Sequence, residues 1–243
     1  MKVSAILSST ALLFLAFVAS TVSAAPQSLG ITKCKNPGVV AYTFDDGPGI
    51  YNDELLAKLA SYNVTATFFV LGQMVEEHPD ALKNILAHGH QIASHTYDHP
   101  NLDALSTSQI LKQMTTTQDL IFQHAGVRPR YMRAPMGNCA STCQKIMSSL
   151  DMLVTYWSVD TNDWKYITEA QTDLQGALQN AMTEVNEEIV NNSNPATDSF
   201  VILEHEIHQY SVEHLVDLVF DAVSKKGYRF VSVAECYGES AYL

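Results

Sequence analysis

Short apolar runs alternate along the chain with longer segments in which apolar residues recur at helical spacing. The seven runs predicted to be strands are 39–44, 66–71, 91–94, 131–134, 153–159, 200–203 and 228–233. The segments predicted to be helices are 52–61, 80–88, 106–124, 141–149, 169–190 and 211–226. Continuous apolar strands separated by helices are typical of parallel strands buried on both faces. The pattern predicts an α/β fold, either a (β/α) barrel of about seven strands or a large doubly wound sheet.

Capping residues support the predicted helix boundaries. Ser106 and Ser211 are predicted N-caps, because a serine hydroxyl can accept a hydrogen bond from a free amide of the first turn. Gly89 and Gly227 are predicted C-caps, because glycine adopts the left-handed conformation that often ends a helix.

The first 24 residues have the pattern of a secretory signal peptide. Lys2 gives a positive start, residues 11–18 form an apolar core, and Val22-Ser23-Ala24 is a small-residue cleavage site. No later run of about 18 apolar residues predicts a membrane span. We therefore expect a secreted protein, extracellular or associated with a cell wall, with one functional domain over residues 30–240.

The chain is acidic. Asp and Glu number 26 against 14 Lys and Arg, a formal charge of −12, and no run of basic residues interrupts this balance. A surface without a basic patch is not expected to bind polyanions. Nucleic acid and membranes are therefore excluded as partners, and we expect a monomer.

Secretion changes how the cysteines and the Asn-X-Ser/Thr sequons are interpreted. In an oxidising compartment, four cysteines suggest two disulfides, with three possible pairings. Cys139 and Cys143 are close in sequence, whereas Cys34 and Cys236 lie near the two ends of the mature chain. These spacings fit no zinc finger. The two sequons predicted to be glycosylated begin at Asn63 and Asn191.

Charged and imidazole side chains gather where the predicted strands end. The residues at these positions are Asp45, Asp46, His95, His99, Arg133, Asp160, Asp163 and His205. The carboxyl ends of parallel strands lie on one face of a barrel or sheet, where active sites are built. The sequence therefore predicts an active site on this face, and Gly47-Pro48 is expected to turn the chain so that both neighbouring aspartates point into it.

Two histidines four residues apart indicate a metal site. His95 and His99 share a face on a helical turn, and an aspartate from the first strand end would complete a set of two histidines and one carboxylate. Such a set suits catalytic zinc and also non-haem iron. The HExxH pattern does not apply, because Thr96 occupies the glutamate position.

Other hydrolase types fit less well. A serine hydrolase of the GxSxG type is disfavoured because the chain lacks that motif. A glycosidase needs two acids about 5 Å or more apart, which adjacent Asp45 and Asp46 do not provide. The HExH segment at 205–208 is one residue short of the zincin spacing, so His205 alone is assigned to the site and His208 to its rim. Residues expected to be solvated are His78, His88, His90, His124, His214, Glu184, Glu187 and Glu188.

Five segments, in order, resemble the motifs of the polysaccharide deacetylases: TFDDGP, HTYDHP, RAPMG, VDTNDW and ILEHEIH. These are the NodB-homology enzymes of carbohydrate esterase family 4, and the chain resembles their fungal chitin deacetylase branch. The resemblance implies a single-domain distorted (β/α) barrel that removes N-acetyl groups from β-1,4-linked N-acetylglucosamine with the help of a metal.

The resemblance assigns roles to the clustered residues. Asp46, His95 and His99 would hold one divalent metal, zinc or alternatively cobalt. Asp45 would be the base that takes a proton from water at the metal, and His205 the acid that protonates the leaving amine.

The remaining family positions would orient these groups or receive the substrate. Arg133 would pair with Asp45 and keep it ionised, as a nearby opposite charge does, and Asp163 would orient His205. The backbone N–H of Met136, where the family usually has tyrosine, would stabilise the oxyanion. The residues expected to form the substrate pocket are Pro135, Trp164 and Leu203.

The same branch carries two disulfides, which implies the pairs Cys34–Cys236 and Cys139–Cys143. The expected function is therefore a secreted chitin or chito-oligosaccharide deacetylase. Acetylxylan esterase and peptidoglycan N-acetylglucosamine deacetylase remain alternatives with the same site. A non-catalytic chitin-binding relative is a further alternative, although every metal and acid–base position is filled.

Overall fold

A parallel sheet forms the centre of the fold. The computed structural model describes residues 30–243. Its strands are β1 (Val39–Asp45), β2 (Thr67–Val70), β3 (Gln91–Ser94), β4 (Tyr131–Met132), β5 (Leu153–Val154), β6 (Val159–Asp160), β7 (Phe200–His205) and β8 (Arg229–Val231). The strand order is β5-β4-β3-β2-β1-β7-β6, and β8 pairs with the first half of β1. All these pairings are parallel.

Helices surround the sheet. The α-helices are α1 (Asn52–Ser61), α2 (Gly72–Glu77), α3 (Pro79–Ala87), α4 (Thr107–Ala125), α5 (Ser141–Ser149), α6 (Ile167–Ala170), α7 (Leu174–Ala181), α8 (Val216–Lys226) and α9 (Val233–Tyr237). The 3-10 turns are Leu102–Ala104, Pro135–Gly137 and Asp163–Lys165, and the π-helical turns are Val185–Asn191 and Ser211–Leu215.

A short connection between the two edges makes the sheet curl. β5 and β6 are the edge strands, yet only residues 155–158 separate them in the chain. Because each residue spans at most about 3.6 Å, this connection holds the edges within roughly 20 Å of one another. The sheet is therefore a curled, distorted (β/α) barrel. The predicted fold class is confirmed, and a flat doubly wound sheet is excluded.

Alternation along β1 separates the core from the site. Tyr42 and Phe44 belong to the main apolar core between the sheet and the helices, whereas Ala41 belongs to a smaller core inside the barrel. Side chains alternate between the faces of a strand, so Thr43 and Asp45 point inward with Ala41. The inward face of β1 thus changes from apolar to acidic at its carboxyl end.

Three predicted segments differ from the structure. The apolar run 153–159 forms the two short strands β5 and β6. The segment 169–190 is broken, because the Asp173 side chain accepts the Gly176 N–H and starts a new helix there. Ser211 does not cap its helix: it lies inside a π-helical turn, and its hydroxyl donates to Asp163 at 2.8 Å.

The predictions linked to secretion concern the signal peptide, membrane spans and glycosylation. The predicted signal peptide, residues 1–24, lies outside the described residues, and the domain bounds 30–240 stay a prediction. Within residues 30–243, no helix combines the length and apolar character needed to cross a bilayer. Asn63 and Asn191 are both exposed, as glycosylation requires, and their modification stays a prediction.

Two disulfides have the pairing that the family resemblance implies. Cys34–Cys236 links residues 202 positions apart, and Cys139–Cys143 links residues 4 apart. The long bridge joins the segment before β1 to α9, where the Lys35 N–H also donates to the Cys236 carbonyl at 2.9 Å. It therefore ties together the two ends of the described chain.

Removing the long disulfide should destabilise the protein more than removing the short one. Loop entropy assigns about 5 kcal/mol to the separation of 202 residues and about 2 kcal/mol to that of 4. We expect Cys34→Ser/Cys236→Ser to lose more unfolding free energy in urea titrations than Cys139→Ser/Cys143→Ser. Equal losses, or a larger loss from the short bridge, would contradict this ranking.

Candidate active site

The register of two neighbouring strands brings the predicted base and acid together. β1 pairs with β7 so that Asp45 lies opposite His205 and Thr43 lies opposite Leu203. Alternation puts all four side chains on the inward face of the barrel. The residues predicted as base and acid thus occupy adjacent positions at the carboxyl ends of two strands.

The side chains of Asp45 and Asp46 can both point into one site because the two residues differ in backbone conformation. Asp45 ends β1 in extended conformation, whereas Asp46 has a φ of +72°. An extended residue at that position would direct its side chain to the opposite face of the sheet. The turn predicted at Gly47-Pro48 therefore begins one residue earlier, at Asp46 itself.

Asp46, His95 and His99 form a compact group of potential metal ligands. The Oδ1 atom of Asp46 lies 3.4 Å from His95 Nε2 and 3.6 Å from His99 Nε2. This oxygen is buried and has no hydrogen-bond partner among the described residues. His95 Nδ1 lies 2.9 Å from the Arg133 carbonyl oxygen, so Nδ1 carries the proton and the Nε2 lone pair faces the carboxylates.

The chemistry of this group fits a divalent cation. Burial lowers the pKa of His95 to about 3, so its ring is neutral, the form that binds metals. A lone pair directed at a carboxylate oxygen is repulsive unless a cation lies between the two atoms. Two imidazoles and one carboxylate are a donor set of catalytic metal sites. The three residues form the candidate metal centre.

Arg133 holds Asp45 from within the barrel. The guanidinium is completely buried, and its Nη1 donates to Asp45 Oδ1 at 2.7 Å and to the Thr43 hydroxyl at 2.8 Å. Burial raises the pKa of Asp45, and the opposing charge of Arg133 offsets only part of that rise. Arg133 thus acts in the direction expected, favouring the ionised carboxylate, while the net rise in pKa leaves Asp45 a stronger base than an ordinary aspartate.

Asp163 holds His205 on the other side of the site. Its Oδ1 accepts from His205 Nδ1 at 2.7 Å, and its Oδ2 accepts the His205 backbone N–H at 2.9 Å. Burial on its own lowers the pKa of His205, but the charge and hydrogen bond of Asp163 outweigh it and raise that pKa to about 9. His205 is therefore protonated at neutral pH, with Nε2 as the donor left for the site.

A second potential ligand group, formed by Asp163, His205 and His208, has a different character. The Asp163 carboxylate already accepts four hydrogen bonds, because the Trp164 N–H (3.0 Å) and the Ser211 hydroxyl (2.8 Å) join the two from His205. A saturated carboxylate is a poor metal ligand. We therefore interpret this group as the support of His205. His208 lies in the loop after β7 and is half-buried, with its ring centroid 5.6 Å from that of His205.

A cavity of about 420 Å³ opens over these groups. Trp164 and Leu203, two of the residues expected in the substrate pocket, line it together with Met136, and residues Met136 and Trp164 are 58% and 50% exposed. Pro135 is buried in its turn and is not among the lining residues. The lining residues that sequence reasoning missed are Ala134 and Trp157.

Three polar residues were wrongly expected on the surface or were overlooked. His90 is buried and accepts the Ala66 N–H. Glu184 accepts the Asp160 N–H at 2.9 Å and so supports the turn before Asp163. Glu206 is fully buried, and a Cβ at Gly47 would lie only 1.3 Å from its Oε1. Each depends on a contact far along the chain, which no local pattern signals.

Comparison with known proteins agrees with the geometry. A sequence model of the polysaccharide deacetylases matches residues 32–155. The chain is 33% identical over 220 residues to a chitin deacetylase of Colletotrichum lindemuthianum, covering 88% of this chain and 86% of the relative. It is 35% identical over 210 residues to a peptidoglycan-N-acetylglucosamine deacetylase of Listeria monocytogenes, covering 86% of this chain but only 41% of that longer protein.

The fold comparison gives the same result. The structure of the chitin deacetylase from Colletotrichum lindemuthianum matches with a TM-score of 0.80 at 32% identity, over 86% of this chain and 92% of that one. The agreement therefore covers most of the chain and not only the motifs at the carboxyl ends of the strands. By sequence, fold and the arrangement of its site, the chain belongs to the polysaccharide deacetylase family.

Proposed function

We propose that the protein is a secreted, metal-dependent deacetylase that removes N-acetyl groups from chitin or chito-oligosaccharides. The observation that carries this proposal is the placement of Asp45 opposite His205, with the Asp46, His95 and His99 group beside them. A base, an acid and a metal centre around one cavity are the parts that hydrolysis of an amide requires.

The metal and the base would act together. A divalent ion, with zinc as our proposal and cobalt as the alternative, supplies Lewis-acid chemistry that lowers the pKa of water and polarises a carbonyl. The Oδ2 atom of Asp45 lies 3.7 Å from His95 Nε2, at the edge of the group formed by Asp46, His95 and His99. Arg133 fixes the other oxygen, so Oδ2 is the atom left to accept a proton.

His205 would complete the reaction as the acid. Its protonated ring faces the cavity, and Asp163 holds it through Nδ1, so Nε2 is free to protonate the leaving amine. An amine is a poor leaving group unless it is protonated, which makes this proton transfer necessary for breaking the C–N bond. We assign the backbone N–H of Met136 to the developing oxyanion.

The substrate assignment rests on similarity and charge. The Colletotrichum and Listeria relatives are described as acting on chitin and on peptidoglycan N-acetylglucosamine, at 33% and 35% identity. Both substrates present an N-acetylglucosamine unit, which the cavity beside Trp164 and Leu203 would receive. A formal charge of −12 disfavours the anionic polymer, so we propose the neutral one.

Acetate release tests the activity and the metal requirement together. We expect the protein to release acetate from chitopentaose, to lose this activity on treatment with a chelator, and to regain it with Zn²⁺ or Co²⁺. If acetate is released faster from peptidoglycan or acetylxylan than from chitopentaose, that polymer and not chitin is the substrate. Release that persists in fully stripped protein would rule out the metal mechanism.

Substitutions of Asp45 and Asp46 should have different effects on zinc binding. Asp45→Asn removes the base and should lower kcat by ~10²–10⁴-fold while leaving zinc bound. Asp46→Asn removes a ligand and should weaken zinc binding by more than ~100-fold. Zinc content measured after dialysis checks both variants. Loss of zinc from Asp45→Asn with retention by Asp46→Asn would show that the two roles are reversed.

The alkaline limit of activity should depend on Asp163. His205 acts as an acid only while protonated, so kcat/KM should fall as the pH rises through about 9. Asp163→Asn removes the charge that raises this pKa and should move the fall to lower pH by about 1–3 units. Asp160→Asn is the matched control, because it changes a nearby charge but not the carboxylate that bonds the His205 ring. It should shift the pH of the alkaline fall much less. If kcat/KM of Asp163→Asn falls at the same alkaline pH as in the wild type, His205 is not the acid.

A further inference from the structure

The loop between the two metal-ligating histidines has an unfavourable backbone. Thr96 has a φ of +75° and His99 a φ of +59°, both in the left-handed region. Left-handed backbone is uncommon outside glycine and is least favourable for a β-branched residue such as threonine. Such conformations persist only where surrounding contacts hold them. The loop therefore requires anchors outside its own sequence.

The first anchor is the start of α2. The Gly72 N–H donates to the Thr96 carbonyl at 2.9 Å, and the Gln73 N–H donates to the Tyr97 carbonyl at 3.0 Å. The backbones approach so closely that a Cβ at Gly72 would lie 3.2 Å from Tyr97 Cα and 2.6 Å from its ring. This anchor uses only carbonyl groups of the loop and leaves its N–H groups free.

The second anchor is a single side chain on α4. Gln113 Oε1 accepts the backbone N–H of Tyr97 at 2.8 Å and that of Asp98 at 3.3 Å. Gln113 Nε2 donates to the Asp98 carboxylate at 2.7 Å. One amide group thus holds both residues at the centre of the loop and one of their side chains.

Gln113 is separate from the site that it supports. It does not line the cavity over the candidate metal centre, and its three contacts are all to Tyr97 and Asp98, neither of which belongs to the ligand group. Its influence must therefore pass through the loop backbone to His95 and His99. This distinguishes it from Arg133, whose carbonyl bonds a ligand ring directly.

We propose that Gln113 is a positioning residue of the metal centre. By fixing residues 97 and 98 it keeps His95 and His99 at the separation and orientation that a divalent ion requires. The proposal rests on the proposed function in one respect, the binding of a metal by Asp46, His95 and His99. Contacts that orient the ligands of a metal typically change its affinity by 10–100-fold.

The test measures zinc affinity by competition with a chromophoric chelator, alongside the urea midpoint of unfolding. Gln113→Ala should raise the Kd for Zn²⁺ by about 10–100-fold. Gln113→Glu keeps the acceptor oxygen but replaces the donor with a charge that faces the Asp98 carboxylate, and it should also weaken zinc binding. Adding Asp98→Asn to Gln113→Glu exchanges donor and acceptor across this contact and should restore most of the affinity.

A glutamine on the same helix provides the control. Gln118 donates from Nε2 to the Pro129 carbonyl at 3.2 Å, away from the histidine loop. Gln118→Ala should lower the unfolding midpoint while leaving the Kd for Zn²⁺ unchanged. The Co²⁺-loaded proteins give a second readout, because the visible d–d bands should change in Gln113→Ala and not in Gln118→Ala.

The outcomes are distinguishable. Weaker zinc binding in Gln113→Ala, rescue by the exchanged pair and unchanged binding in Gln118→Ala would support the proposal. Wild-type zinc affinity in Gln113→Ala, or an equal loss in Gln118→Ala at the same loss of stability, would overturn it while leaving the metal mechanism intact. If the wild-type protein binds no zinc, both the proposed metal centre and this inference fall.

Discussion

The buried ion pair between Arg133 and Asp45 connects the fold to the site. The guanidinium fills the interior of the curled sheet: it lies 4.2 Å from the Phe69 ring centroid and donates to Asp45, to the Thr43 hydroxyl and to the Tyr156 carbonyl. It thereby links β1 and β2 to the connection that closes the barrel. A buried charge that loses its partner is destabilising, so each side chain stabilises the barrel interior only in the presence of the other. The carboxylate proposed as base is fixed by the same contact that fills the barrel.

Backbone conformation is the second constraint, and it is concentrated at the same face. Seven non-glycine residues in the described chain have positive φ, and five of them follow strand ends around the cavity: Asp46, Thr96, His99, Met136 and Asn162. At Asp46 and His99 this conformation accompanies a side chain that lines the cavity. Strained backbone of this kind is kept at functional sites by contacts from the rigid elements around it. The α2 amides and the Gln113 side chain are such contacts.

Sequence reasoning succeeded where periodicity or local spacing carries the information. The apolar runs predicted the strands, and the polar residues at their ends predicted the face that holds the site, because parallel strands bring their carboxyl ends together. It failed for contacts between distant segments. Glu206 beside Gly47 and Glu184 under the Asp160 turn join segments that are far apart in the chain, and the run 153–159 gave no sign that it bends between two strands. The turn at Asp46 was misplaced by one residue, since aspartate gives a weaker signal for left-handed backbone than glycine does.

Charge balance explains why this arrangement suits the proposed reaction. Around the cavity, the carboxylates Asp45, Asp46, Asp160 and Asp163 face two cations, Arg133 and protonated His205. The side chains alone therefore leave an excess of negative charge, which would oppose the negative charge that develops on a carbonyl oxygen under attack. A divalent ion would offset this excess, and it would do so beside the oxygen of Asp46 that has no hydrogen-bond partner among the described residues. The same positive charge would favour the ionised form of Asp45 against the effect of burial. In the proposed roles, the two adjacent aspartates are compatible at one strand end because Asp46 would bind a cation whose charge keeps Asp45 ionised and able to act as a base.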